Sequence, residues 1–175
     1  QNPGDAKGWV LLAKTYATIG DARKAAAAYA RATTLTERNP EVLADWAEAR
    51  LMALGGGFTP EIFADFLEAR DRDPILPKPW FYIGLDKAMG GDLEGAAQTW
   101  TDLLAITPKG APFAEAVRAQ IARAAEEGGF KPSDIKPSEA ALALAKGNAS
   151  SLPSDAPTSA KAGPVPPGPS QQDID

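Results

Sequence analysis

The stretch Trp80 to Pro108, WFYIGLDKAMGGDLEGAAQTWTDLLAITP, decides the fold. Its apolar side chains fall three and four apart on both sides of Gly91-Asp92, the spacing of two amphipathic helices and not the alternation of a strand. Gly91 closes the first helix with a residue tolerant of positive φ, and Asp92 offers its carboxylate to the opening turn of the second. Pro108 stops the second, because its ring cannot continue a helix interior. Small Gly84 and Ala96 let the two helices approach closely, while Trp80 and Trp100 fill the space beside them. The reading is one antiparallel helical hairpin.

The same grammar recurs on the N-terminal side. Trp9, Leu12-Ala13, Tyr16, Gly20-Asp21, Ala25, Tyr29 and Ala32 repeat the order of the later hairpin. Between them lies a looser unit opened by Asn39-Pro40, with Trp46-Ala47 in the close-approach slot and Ile62, Phe66, Ala69 and Pro74 in its second helix. Self-similarity at about 34 residues is the tetratricopeptide pattern. It predicts an all-α solenoid of three helix-turn-helix repeats, at about 6–38, 40–74 and 77–108. Arg50 and Lys87 stand where the pattern asks for Tyr, which predicts buried stems with charges led out to water. Gly55-Gly56-Gly57 reads as a lengthened inter-helix turn, since no Gly-Lys-Ser/Thr follows and no strand precedes.

Pro112, then Phe113, Val117, Ile121 and Ala124, predict one more amphipathic helix at about 111–127. A solenoid needs this cap, because its last repeat would otherwise leave an apolar side in water. Composition then changes. The Pro/Ala/Ser-rich segment 128–175 carries few large apolar residues and is expected to form a largely disordered tail, with Ser138 to Lys146 as a short helical pattern that docks weakly or stays loose. The domain proper is therefore assigned to 1–127.

The chain holds 18 Lys and Arg against 23 Asp and Glu, a net charge of −5, so it offers no basic surface for nucleic acid. It contains neither Cys nor His. Thiolate nucleophiles, Cys-ligated metal sites and the Ser–His triad are excluded, and with them most enzyme chemistry. Glu68 and Arg72, four apart, have the geometry of a surface ion pair and not of a facing catalytic carboxylate pair. Met52 and Met89 read as packing residues and not as haem ligands. The sequence thus describes a non-enzymatic binding protein with no cofactor. No run of about 20 apolar residues crosses a bilayer. Starting at Gln1 without Met, the chain is expected to be a piece of a longer or processed protein, and any membrane attachment would come from an N-terminal anchor outside it.

In a tetratricopeptide superhelix the first helix of each pair lines the concave face. Counting from Ala6, Pro40 and Pro77, that frame places Lys7, Val10, Lys14, Glu48, Leu51, Met52, Lys78, Phe81, Leu85 and Met89 along a candidate peptide-binding groove, together with Thr18, Glu41 and Ala44. Mixed Lys and apolar side chains suit an amphipathic helix whose anchors are held and whose end charges are paired. Phe81 is the telling member: a large aromatic there needs cover, from a ligand or from the neighbouring helix.

Three segments carry a closer resemblance. Trp80-Phe81-Tyr82-Ile83-Gly84-Leu85 through Gly91-Asp92-Leu93-Glu94-Gly95-Ala96 to Trp100-Thr101-Asp102-Leu103-Leu104, the Pro108 and Ala111-Pro112 step, and Leu43-Ala44-Asp45-Trp46-Ala47-Glu48-Ala49 resemble the periplasmic repeat domain of the CcmI (CycH) cytochrome c-type biogenesis family over about 1–127. The resemblance implies a chaperone on the periplasmic side of the bacterial inner membrane. Such a domain holds the C-terminal helix of apocytochrome c in its groove and passes the chain to the other haem ligation subunits. A domain without Cys or His fits that task, since it cannot compete for haem iron or exchange disulfides with substrate thiols. Two alternatives stay open: a generic envelope adaptor scaffolding another assembly through the same groove, and a regulatory domain belonging to an enzyme.

Overall fold

Short polar side chains set most helix starts. In a computed structural model, which describes residues 4–151, Asp5, Asp21, Asn39, Thr59 and Asp92 each accept a hydrogen bond from a backbone N–H of the following first turn. The helices they open are α1 (Ala6–Thr18), α2 (Ala22–Leu35), α3 (Pro40–Ala53), α4 (Pro60–Arg72) and α6 (Leu93–Ile106); α5 spans Pro77–Met89 and α7 Ala114–Gly128. Gly20 and Gly91 take φ of 81° and 85° at the turns of the first and third hairpins, as their sequence positions require. No strand occurs among the described residues.

Each helix packs chiefly on the next in the chain, which is the arrangement of a solenoid. The closest approach lies in the hairpin that decides the fold. A Cβ on Gly84 would sit 2.3 Å from Trp100 Nε1, and that same N–H donates to the Phe81 carbonyl at 3.0 Å. Trp100 then joins Leu103, Val117 and Ile121 in the C-terminal core, so α7 covers the third unit as a cap should. Ala13, Ala25, Ala32 and Tyr29 make a small-residue core for the first unit, and Ile62, Phe66, Tyr82 and Ile83 knit the second unit to the third.

Arg50 and Lys87 do not lead their charges into water. Arg50 stacks on the Trp46 ring and donates to Asp65 at 2.6 Å; Lys87 donates to Thr99 Oγ1 at 3.1 Å. Asp65, nearly buried on α4, also accepts from Arg38, which forks onto Glu68 at 2.9 Å and 2.6 Å. Glu68 takes Arg72 as well, the i,i+4 pair expected from their spacing. A buried carboxylate needs such donors, and the loop residue Arg38 ties the first hairpin to the second by meeting that need.

Within the expected tail, the short helical pattern at Ser138 to Lys146 forms and docks, and the chain before it takes a 3-10 turn at Pro132–Asp134. The chain turns back at Gly129, and a final helix α8 (Glu139–Ser151) packs on α6. Composition understates the docking because few groups carry it. Asp102 on α6 accepts both the Ser138 N–H, at 2.7 Å, and its Oγ–H, at 2.8 Å, while Ser138 Oγ caps Ala141. Gln98 donates to the Lys136 carbonyl at 2.8 Å, and Ala141 is fully buried. Phe130, Ile135 and Leu144 add apolar cover to the core beneath. The rest of the expected tail, 152–175, lies outside the described residues.

Candidate functional site

On α3, Asp45 and Glu48 lie three apart and so share one face. On α5, Lys78 sits one residue into the helix, from where its ammonium reaches both carboxylates. Tyr29 of α2 donates its hydroxyl to Asp45 at 3.2 Å, and Tyr82 of α5 donates to Glu48 at 2.6 Å. The Tyr82 ring is held in turn by stacking on Phe66, with centroids 4.8 Å apart. Burial pushes both phenols above their ordinary range, and the carboxylates beside them push the same way. Burial opposes the charge of Lys78, yet its hydrogen bonds to Asp45 and Glu48 outweigh that and hold its pKa above the usual lysine value.

Hollows open on either side of this polar strip. One of about 450 Å³ lies between α3, α5 and α7, with Leu76, Phe81, Leu103, Phe113 and Val117 in its wall and Glu48, Lys78 and Tyr82 along its edge. A second, about 420 Å³, is bounded by Ala17, Ala22, Ala25, Ala49 and Met52, again with Asp45 and Glu48. A third of about 270 Å³ brings Lys14 of α1 and Lys78 of α5 to Glu41 and Asp45 of α3. Farther along α5 and α7, Leu85 and Met89 face Gln120, Arg123 and Glu127 across about 320 Å³. Low apolar walls with a few convergent charges are the composition of a surface that holds a side-chain stripe.

Of the residues expected in the groove, Glu48, Lys78 and Phe81 meet at the first hollow, Met52 lies in the second, Lys14 in the third, and Leu85 and Met89 in the fourth. Three do not join them. Leu51 is 1% exposed in the core against Ile62 and Phe66, because α3 rotates that position toward α4. Val10 packs on the first unit's core, and Lys7 stands exposed on α1 away from these hollows. Ala44 is nearly buried, although its edge borders the third hollow. Phe81 divides its surface: its ring packs edge-on to Tyr82 at 5.4 Å and tilts toward Trp100 at 6.4 Å, yet still lines the first hollow.

Sequence reasoning missed Phe113, Tyr29, Asp45 and Tyr82 as members of the site. Phe113 was expected on the apolar side of the cap but is 37% exposed into the first hollow. Treating α7 as the first helix of a further pair would have put its residues on the inner face. Asp45 falls between the inward positions of the repeat frame, and only its three-residue spacing from Glu48 signals it.

Among the described residues no group of His, Cys, Asp and Glu has the arrangement of a metal site, and no helix is long and apolar enough to cross a membrane. No protein-family model matches the chain. Three curated proteins do, each described as "Cytochrome c-type biogenesis protein CycH". The one from Bradyrhizobium diazoefficiens is 32% identical over 123 residues, 70% of this chain and 33% of its own length. That of Pseudomonas aeruginosa is 32% identical over 146 residues, covering 81% of this chain and 36% of the relative. That of Rhizobium meliloti is 34% identical over 124 residues, 71% and 32% respectively. The chain thus spans about a third of the length of these relatives.

Proposed function

The chain belongs, over the segment it spans, with the cytochrome c-type biogenesis proteins of the CycH (CcmI) family, and from that premise we propose that it serves cytochrome c maturation as a non-catalytic, polypeptide-holding domain. Its ligand is the C-terminal helix of an apocytochrome c, seated across the faces of α3, α5 and α7, and it works beside the other haem ligation subunits. Its place is the periplasmic side of the bacterial inner membrane, reached through an anchor outside this sequence.

The observation that carries this reading is the apolar hollow of about 450 Å³ closed on one edge by Lys78 and Glu48. Its walls are Phe81, Phe113, Leu103 and Val117, side chains that bury against apolar anchors and do no chemistry. An amphipathic helix presents anchors at i, i+3, i+4 and i+7, which such a trough accepts without bond-making groups. The absence of Cys and His from the whole chain is compatible with handling a thiol-bearing, haem-binding substrate. An envelope adaptor for another assembly would use the same face, and selectivity separates the two.

Titration calorimetry with a peptide copying the last helix of an apocytochrome c is expected to give micromolar affinity or tighter, about −8 kcal/mol. An unrelated amphipathic helix is expected to bind at least about tenfold more weakly, a difference of about 1.4 kcal/mol. Equal affinity for both removes the cytochrome assignment and leaves the adaptor.

A further inference from the structure

Asp45 and Glu48 face a single ammonium, Lys78. The hydroxyls of Tyr29 and Tyr82 donate to them but bring no charge, so the strip keeps one formal negative charge. Lys14 and Glu41, the other charged groups bordering the third hollow, offset one another. Glu48 borders both apolar hollows, the one at Phe81 and Phe113 and the one at Ala17 and Met52. A helix that fills both must therefore cross the carboxylates between them. Resting on the reading just given, we propose that this face selects a helix whose apolar stripe is interrupted at its middle by a lysine or arginine, with Asp45 and Glu48 as the specificity-determining residues.

The chemistry favours that occupant over its alternatives. An apolar residue at the crossing would cover Asp45 and Glu48 without offering them a donor, and buried carboxylates are costly unless paired. An acidic residue would add a like charge beside Asp45 and Glu48, which already outnumber their one ammonium. A basic residue brings the missing positive charge, and a long Lys or Arg stem continues the apolar stripe up to its head. Tyr29 and Tyr82 fix the two carboxylates in place before any partner arrives, so less ordering is needed on binding.

The test uses the full 175-residue chain and three labelled versions of the apocytochrome c C-terminal-helix peptide, differing only at the residue midway between its apolar anchors: Lys, Met or Glu. Fluorescence anisotropy is expected to rank them Lys over Met over Glu, with Lys to Glu weakening binding by about 30-fold. In Glu48→Gln, which keeps an oxygen acceptor for Tyr82, the Lys and Met peptides should bind within about threefold of each other. Asp45→Asn provides the same comparison if Glu48→Gln melts early. Equal binding of all three peptides, or a ranking unchanged in both variants, overturns the charge selection while leaving the peptide-holding role standing. Failure of all three peptides to bind overturns that role and this inference together.

Discussion

Two ionic networks lie within one helix of each other and are put to different uses. Arg38, Arg50, Asp65, Glu68 and Arg72 join α4 to α3 and to the preceding loop, and none of them borders a hollow described above. Lys78, Asp45 and Glu48 join α5 to α3 with similar short contacts, and lie between spaces large enough for side chains. The first carries three arginines against two carboxylates, with Arg50 laid on the Trp46 ring; the second is left one positive charge short. Charge pairing alone therefore says nothing of function. What distinguishes the networks is the residual charge and the space beside it.

The largest effect is expected from breaking the network between α3 and α4. Asp65→Ala leaves Arg50 and Arg38 without their shared carboxylate and should cost about 3–4 kcal/mol in urea unfolding. Peptide affinity of the protein that remains folded should not change. A parallel loss of affinity would mean the two networks are coupled.

Ending the chain after residue 127 comes next. It removes the cover that Phe130, Ile135, Ala141 and Leu144 give the C-terminal core, for an expected loss of about 3 kcal/mol by thermal or urea melt. The inner hollows, built from α3, α5 and α7, should keep their affinity. Phe113→Ala inverts that pattern. Being partly exposed, Phe113 should matter little to stability while its loss weakens peptide binding by about 1–2 kcal/mol, read by calorimetry. Phe81→Ala is expected to lower both, because its ring serves core and hollow at once.

The smallest effect is a pH dependence. Tyr29 and Tyr82 are raised above their ordinary 10.0, and Lys78 above 10.5. Above these ordinary values the unfolded chain gives up protons that the folded state retains. Stability is therefore full below about pH 10 and declines as pH climbs toward the raised folded values. Tyr82→Phe should cost about 1 kcal/mol at neutral pH through its lost hydrogen bond and make the alkaline decline shallower. An unchanged slope would show that the inner network does not hold those protons.

The hairpins were legible because their signals are local. Gly91-Asp92, Gly20-Asp21 and Asn39-Pro40 specify helix ends through backbone geometry and one side chain each, and Gly84 against Trp100 needs only a small residue and a large one in the right order. The helical pattern of α8 was legible at Ser138 to Lys146, but its docking was not. Its docking depends on Asp102 meeting Ser138 across 36 positions of sequence, a pairing that no window of periodicity contains. The site divides along the same line. The repeat frame brings Lys14, Glu48, Met52, Lys78 and Phe81 to the inner hollows, but it puts Leu51 there too. The burial of Leu51 follows from how α3 meets α4, and the partners Tyr29 and Tyr82 from how α3 meets α2 and α5.

The return of α8 across α6 has a mechanical meaning. A solenoid whose helices touch mainly their neighbours can fray from an end, one hairpin at a time. At the N-terminal end of the described residues, α1 packs broadly on α2. At the other end the Asp102–Ser138 contacts act as a stitch: α7 cannot unzip under tension until α8 lets go. Pulled from the C-terminal side, the molecule should release the Asp102–Ser138 stitch before α7 leaves α6.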